Sequence, residues 1–185
     1  MPQITLSQID VDHLALIRTN VREFIRRMGA SYGPKGGRLL DIAPQVHEGA
    51  EPYFPDTIEV ETLDIDRNSG CTYIADLCRD NTSILPDGIF DFVVCTEVLE
   101  HTLNPFAAVR EIARLLKGGG ILFGSVPFNF RIHGPLPDCW RFTEHGLRAL
   151  LVDFSILELN SLETPDRPLM PIHYTFAAQK NRNTR

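Results

Sequence analysis

Apolar residues in this chain recur with two different periods, and the switches between them lay out its elements. Leu14, Ile17, Val21, Phe24, Ile25 and Met28 return at intervals of three and four, the spacing of one buried helix face. This predicts a helix over residues 8–28 with Gly29 as its stop. The short apolar strings at 38–42 and 72–75 and the alternating stretch at 57–65 predict strands. Residues 43–55 carry glycine and proline with little periodicity, so they read as a loop with at most one helical turn. A buried strand over 90–95 comes next, then a polar turn, a helix over 104–117, a glycine stop at 118–120 and a second buried strand over 121–126. Strand, helix and strand within 37 residues make a right-handed parallel crossover. Thr143 caps a further amphipathic helix over 143–152, and residues 154–159 and 173–179 read as a closing strand pair. Such alternation predicts an α/β fold, a three-layer αβα sandwich on a mainly parallel sheet. In open parallel sheets ligands sit outside the carboxyl ends of the strands. Thr96, Glu97, His101 and Ser125 gather at those ends.

Composition narrows the class. With 185 residues, 43% hydrophobic and 23% charged, the chain fits one globular domain over residues 1–185. A net charge of −6 argues against a nucleic-acid binder. Arg18, Arg22, Arg26 and Arg27 read as the solvated side of the first helix. Cys71, Cys78, Cys95 and Cys139 form no CxxC pair and no zinc-ligand spacing, as expected of reduced thiols. No apolar run approaches 18 residues and no signal peptide precedes the first helix, so a cytoplasmic protein without a membrane role is expected.

The ordered series LLDIAPQ from Leu39, FDFVVCTEVLEH from Phe90, a helix, and LLKGGGILFGSVP to Pro127 closely resembles a class I S-adenosylmethionine-dependent methyltransferase domain of small-molecule type. The resemblance runs to about Leu159, roughly two-thirds of the chain. It implies a Rossmann-like, seven-stranded sheet of order 3-2-1-4-5-7-6 with the last strand antiparallel. It also implies S-adenosyl-L-methionine as cofactor.

Site expectations follow motif by motif. LLDIAPQ stands where the family carries Asp-x-Gly-x-Gly, with Ala43 and Gln45 in the glycine places and Pro44 between them. Ala43 adds one methyl group, tolerable at a negative φ; Gln45 either reshapes the loop or offers its amide to the cofactor carboxylate. Asp41 would position the cofactor's amino group, or is simply an acid ending a strand. By comparison with the family, VETLDID places Asp64, followed by Ile65, where a carboxylate would accept both ribose hydroxyls. YIADLC offers Asp76 to the adenine amino group and Leu77 as its apolar neighbour, although Asp76 could equally make an Asx turn. Three acids at adjacent strand ends suit a cationic sulfonium. No GxGxxG follows the first strand, which disfavours a dinucleotide site.

Thr96 and Glu97 would flank the reactive methyl, and His101, one turn beyond Glu97, is either a general base or a packing histidine. Residues 127–143 form a loop mixing Trp, Arg, His and Asp, a composition typical of functional loops. In one reading Trp140 and Phe142 line an acceptor pocket, Arg131 and Arg141 bind an anionic or hydroxylated acceptor, and His133 or Asp138 takes its proton. In the other, Arg141 pairs with Asp138 and Trp140 packs on the sheet. His133, Asp138 and His145 lack any HxH or HExxH spacing, so no metal is expected. The expected partner is a small acceptor, most simply a hydroxyl of a sugar or other metabolite, with a homodimer as a possible assembly. Ala43 and Gln45 motivate the rival, a methyltransferase-like domain that has lost catalysis and serves as a binding or scaffold module.

Overall fold

The structure, a computed structural model, describes residues 6–44, 49–165 and 167–182. Helix α1 (Gln8–Tyr32) opens on the Ser7 hydroxyl, which accepts the Asp10 N–H. It runs past Gly29, so the expected glycine stop is corrected. A Cβ at Gly29 would lie 1.8 Å from the Tyr53 carbonyl oxygen, so that glycine permits a close backbone approach in the last turn of the helix instead. Arg18, Arg22, Arg26 and Arg27 all lie on the exposed side of α1.

Strands β1 (Gly37–Ile42), β2 (Ile58–Asp64), β3 (Tyr73–Ile74) and β4 (Phe90–Thr96) follow, with no α-helix between them among the described residues. Helix α2 (Pro105–Leu115) is capped by the Asn104 side chain, which accepts the Ala107 N–H. It ends two residues earlier than expected, and β5 (Leu116–Pro127) starts at once. Gly118, Gly119 and Gly120 therefore belong to the strand. Pairing jumps there from Phe90 opposite Leu116 to Phe92 opposite Ile121, with Gly119 at φ +85° carrying the bulge. Helix α3 (Glu144–Leu150), with Thr143 as N-cap, and the antiparallel pair β6 (Phe154–Leu162) and β7 (His173–Lys180) complete the chain.

The seven strands form one sheet of order β3-β2-β1-β4-β5-β7-β6, in which β7 alone runs antiparallel to its neighbours. Strand alternation divides the core. Val93, Cys95 and Leu122 pack under α2 and α3 with Val109, Ile112 and Leu147. Phe92, Val94 and Phe123 pack under α1 with Phe24, Ile25 and Met28. Both faces are covered, so the opening for a ligand lies at the carboxyl edge of the parallel strands.

Candidate active site

The carboxyl edge collects one acid after another. Asp41, one residue before the end of β1, turns toward the α1 face and accepts the Ala50 N–H at 2.6 Å. Burial pushes its pKa up to about 6, with the Ala50 N–H pulling the other way. Asp64 ends β2; one oxygen accepts the Asp66 N–H at 2.8 Å, and the other has no hydrogen bond among the described residues. Beside it Ile65 is 67% exposed. Asp76, after β3, accepts the Cys78 N–H at 2.8 Å in an Asx turn and the Arg79 guanidinium N–H at 3.2 Å. The Leu77 side chain packs into the core.

The loop after β1 departs from expectation. Ala43 has φ +50°, in the left-handed region where a Cβ costs roughly 1–2 kcal/mol, so the negative φ that would make its methyl group tolerable is not adopted. Pro44 is half-buried beside it. Gln45 lies outside the described residues.

Beyond β4, Glu97 is also left-handed, at φ +55°, a strained conformation of the kind concentrated at functional sites. Thr96, at the strand end, pairs with Ser125 of β5. The twisted backbone aims the Glu97 carboxylate across the sheet edge. There it accepts the Ser125 hydroxyl at 2.8 Å and lies 2.6 Å from His173 Nε2. Asn20 of α1 closes the chain at 2.9 Å from His173 Nδ1. Burial alone would raise the Glu97 pKa; the His173 charge and hydrogen bond and the Ser125 hydroxyl outweigh it and hold the group below its ordinary value. Neither His173 nor Asn20 stands out in sequence, because each falls on a regular strand or helix pattern.

Residues 127–143 fold over this edge. The Asp138 side chain, fully buried, takes both terminal nitrogens of Arg141, the His133 backbone N–H at 2.9 Å and the His133 Nδ1 at 3.1 Å. The Arg141 hydrogen bond leads in holding Asp138 well below the usual carboxylate range. An anion so firmly held is a poor proton acceptor, so Asp138 is corrected from base to clamp. Arg141 spends its remaining donors on the carbonyls of Phe130, Arg131 and Trp140. With every donor used inside the loop, it does not reach an acceptor as expected. Arg131 turns to Asp10 of α1 at 3.7 Å, tying loop to helix. The Trp140 indole N–H donates to the Thr102 carbonyl at 2.8 Å while its ring stays 39% exposed, whereas Phe142 is buried in the core rather than lining a pocket. Phe130, Ile132, Asp138, Cys139, Trp140 and Arg141 border a groove of about 410 Å³.

Inside the fold of this loop His101 and His133 meet edge to face, ring centroids 4.9 Å apart. His101 Nδ1 lies 2.9 Å from the Pro137 carbonyl oxygen and must donate to it; His133 Nδ1 faces the Asp138 carboxylate. In its neutral form, each ring so placed presents Nε2 as its lone-pair nitrogen. Glu100, between the apolar Leu99 and His101, was not foreseen. It is fully buried and neither carboxylate oxygen has a hydrogen bond among the described residues. Burial first, then the charge of Glu97, pushes its pKa well above the ordinary value.

A mainly parallel sheet of this order, with acids ending successive strands beneath a folded-over loop, is the architecture of the class I S-adenosylmethionine-dependent methyltransferases. Comparison with known proteins agrees. A family model described as a methyltransferase domain matches residues 14–159, and the chain belongs to that family, with S-adenosylmethionine as the implied methyl donor. The ubiquinone biosynthesis O-methyltransferase of Xanthomonas oryzae pv. oryzae is 48% identical over 50 residues, 27% of this chain and 19% of that protein. The match therefore spans about a fifth of the length of that curated relative. A 1,6-didemethyltoxoflavin-N1-methyltransferase of Burkholderia thailandensis, solved with S-adenosylhomocysteine, superimposes with TM-score 0.61 at 17% identity, covering 97% of this chain and 93% of that one. An S-adenosylmethionine-dependent methyltransferase from Mesorhizobium loti gives 0.60 at 17% identity, covering 84% and 95%. At those identities the likeness is one of fold. Among the described residues no helix is long and apolar enough to cross a membrane.

Proposed function

We propose that the chain transfers the methyl group of S-adenosylmethionine to a hydroxyl of a small acceptor, a sugar or another hydroxylated metabolite. The carrying observation is the run of carboxylates, Asp41, Asp64 and Asp76, along adjacent strand ends, with Thr96 and Glu97 next in line. In this reading the half-used carboxylate of Asp64 holds the ribose, and the exposed Ile65 lies against the adenine. Asp76 keeps one edge of the base through its turn, and Asp41 faces the ammonium end beside the Ala43–Pro44 corner. The sulfonium methyl then points toward His101 and His133, whose free Nε2 atoms are the acceptors that a departing hydroxyl proton needs. Trp140 gives the acceptor an apolar wall, and Asp138 and Arg141 hold that wall in place.

Methyl transfer is an in-line displacement, and holding both reactants in a dry, fixed geometry can lower its barrier by roughly 7–11 kcal/mol. The loop over the strand ends supplies the enclosure. An O-methyltransferase among the sequence relatives supports a hydroxyl acceptor. The test is S-adenosylhomocysteine release over a panel of sugars, phenols, carboxylic acids and amines. Release that requires a hydroxylated acceptor is expected. Cofactor binding without release on any acceptor would favour a catalytically silent binding domain, the reading to which Ala43 at positive φ lends weight.

A further inference from the structure

Glu100 Oε1 and the Nε2 atoms of His101 and His133 confront one another at the inner end of the loop, and neither Glu100 oxygen has a hydrogen bond among the described residues. Glu100 Oε1 lies 3.6 Å from His101 Nε2 and 3.7 Å from His133 Nε2. The Pro137 carbonyl and the Asp138 carboxylate each claim an Nδ1 proton, so in the neutral rings both Nε2 atoms present lone pairs to the carboxylate. A buried carboxylate without a donor is costly, and two lone pairs aimed at it raise the cost. The arrangement makes physical sense when a cation sits among the three groups.

We propose that Glu100, His101 and His133 bind one divalent first-row transition-metal ion of the zinc kind. Two imidazoles and a carboxylate are the donor set such ions favour. The three ligand atoms lie within 4.8 Å of one another. With metal–ligand bonds of about 2.1 Å, the edge of a coordination tetrahedron is about 3.4 Å. The 3.6 and 3.7 Å separations are close to that edge, and the remaining one lies within 4.8 Å, so side-chain rotation alone can close the set. The outer shell is also in place. A metal-bound histidine commonly donates its other ring N–H to a carboxylate or backbone carbonyl, as His133 does to Asp138 and His101 to Pro137. The two imidazoles keep some solvent exposure, 14% and 22%, while Glu100 has none, so the fourth position opens outward. Spacing hid the site: its ligands combine a Glu-His dipeptide with one histidine from a loop 32 residues on.

The consequence deepens the methyl-transfer reading and rests on it: with the ion bound, the two Nε2 atoms are its ligands, and the ion takes over from them the task of releasing the hydroxyl proton. An acceptor hydroxyl bound through its oxygen at the open position loses its proton to solvent more readily, because the ion stabilises the alkoxide. That oxygen then forms the bond to the methyl carbon as the carbon–sulfur bond breaks, its electrons passing to sulfur and S-adenosylhomocysteine departing. Acceptors able to chelate, such as vicinal diols, would be favoured.

The test uses the full chain, stripped with a chelator and titrated with ZnCl2 by calorimetry and with CoCl2 by visible absorption. S-adenosylhomocysteine is titrated in parallel. Wild type should take up one ion per chain and give a cobalt ligand-field band. Glu100→Gln and His133→Asn should lose that band and bind at least about 10-fold more weakly, and Asp138→Asn should weaken binding by about 10–100-fold. S-adenosylhomocysteine binding by the variants shows that they are folded. Absence of stoichiometric metal in wild type, or uptake by Glu100→Gln equal to wild type, overturns the proposal and leaves a proton as the shared cation. The methyl-transfer reading fails separately, if S-adenosylhomocysteine does not bind while metal does.

Discussion

Replacing Asp41 with Asn should change how stability depends on pH, in a direction fixed by the burial of that carboxyl. Its pKa rises from 3.8 to about 6 on folding. Between those values the native state holds a proton that the unfolded chain has released. Asp41 therefore costs nothing below pH 4, and its cost grows as pH rises through 4 to 6 and then levels off. A shift of about 2 units corresponds to about 3 kcal/mol at pH 7. Asn keeps an oxygen for the Ala50 N–H and carries no charge to desolvate. The variant should match wild type near pH 4 and exceed it by about 2–3 kcal/mol at pH 7, the charge-assisted hydrogen bond taking back part of the gain. Urea unfolding of both proteins at half-unit intervals from pH 4 to 8 gives the difference curve, from which groups common to both cancel. Parallel curves, or a wild type that gains on the variant as pH rises, would refute the reasoning. The native protein tolerates this cost, in the proposed function, because the ionised carboxylate is kept for the ammonium end of the cofactor. Cofactor affinity should accordingly fall in Asp41→Asn while stability rises.

Ala43→Gly should raise stability by about 0.5–1 kcal/mol in the same assay, because relief of left-handed strain at φ +50° exceeds the entropy that glycine adds to the unfolded chain. Gly29→Ala sets two effects against each other. Helix propensity favours alanine by about 1 kcal/mol. Contact with the Tyr53 carbonyl should outweigh it and lower the melting temperature; a rise would show that α1 and the segment carrying Tyr53 can part. Arg141→Ala strands a fully buried Asp138 and should cost about 3 kcal/mol, with Arg141→Lys recovering under half for want of a two-pronged donor. Equal stability of the three proteins would mean the loop is held by other contacts.

Most of the scaffold was legible because buried strands and amphipathic helices write their period into the chain. Boundaries failed where glycine was the signal. Gly29 and Gly118 to Gly120 read as stops, yet one admits a neighbouring backbone and the others shape a bulge, and glycine in sequence does not distinguish these uses. The strand-end acids were visible because the sheet's order follows from the resemblance. Partnerships across the loop were not. Asp138 and Arg141 could be read as clamp or as binding groups, and three-dimensional packing decided for the clamp. Glu100 looked like an ordinary acid between apolar positions until burial removed water from it. His173 and Asn20 acquire meaning only when β7 and α1 bring them to Glu97.

Asp64 tests the cofactor cleft most directly, since one of its oxygens has no hydrogen bond among the described residues. Calorimetric titration of S-adenosylhomocysteine should show one site per chain in wild type and a loss of about 1.5–3 kcal/mol of binding free energy in Asp64→Ala, with melting temperature nearly unchanged. Equal affinity in the two proteins, or no binding by wild type, would contradict the assignment of the strand ends to an adenosyl group.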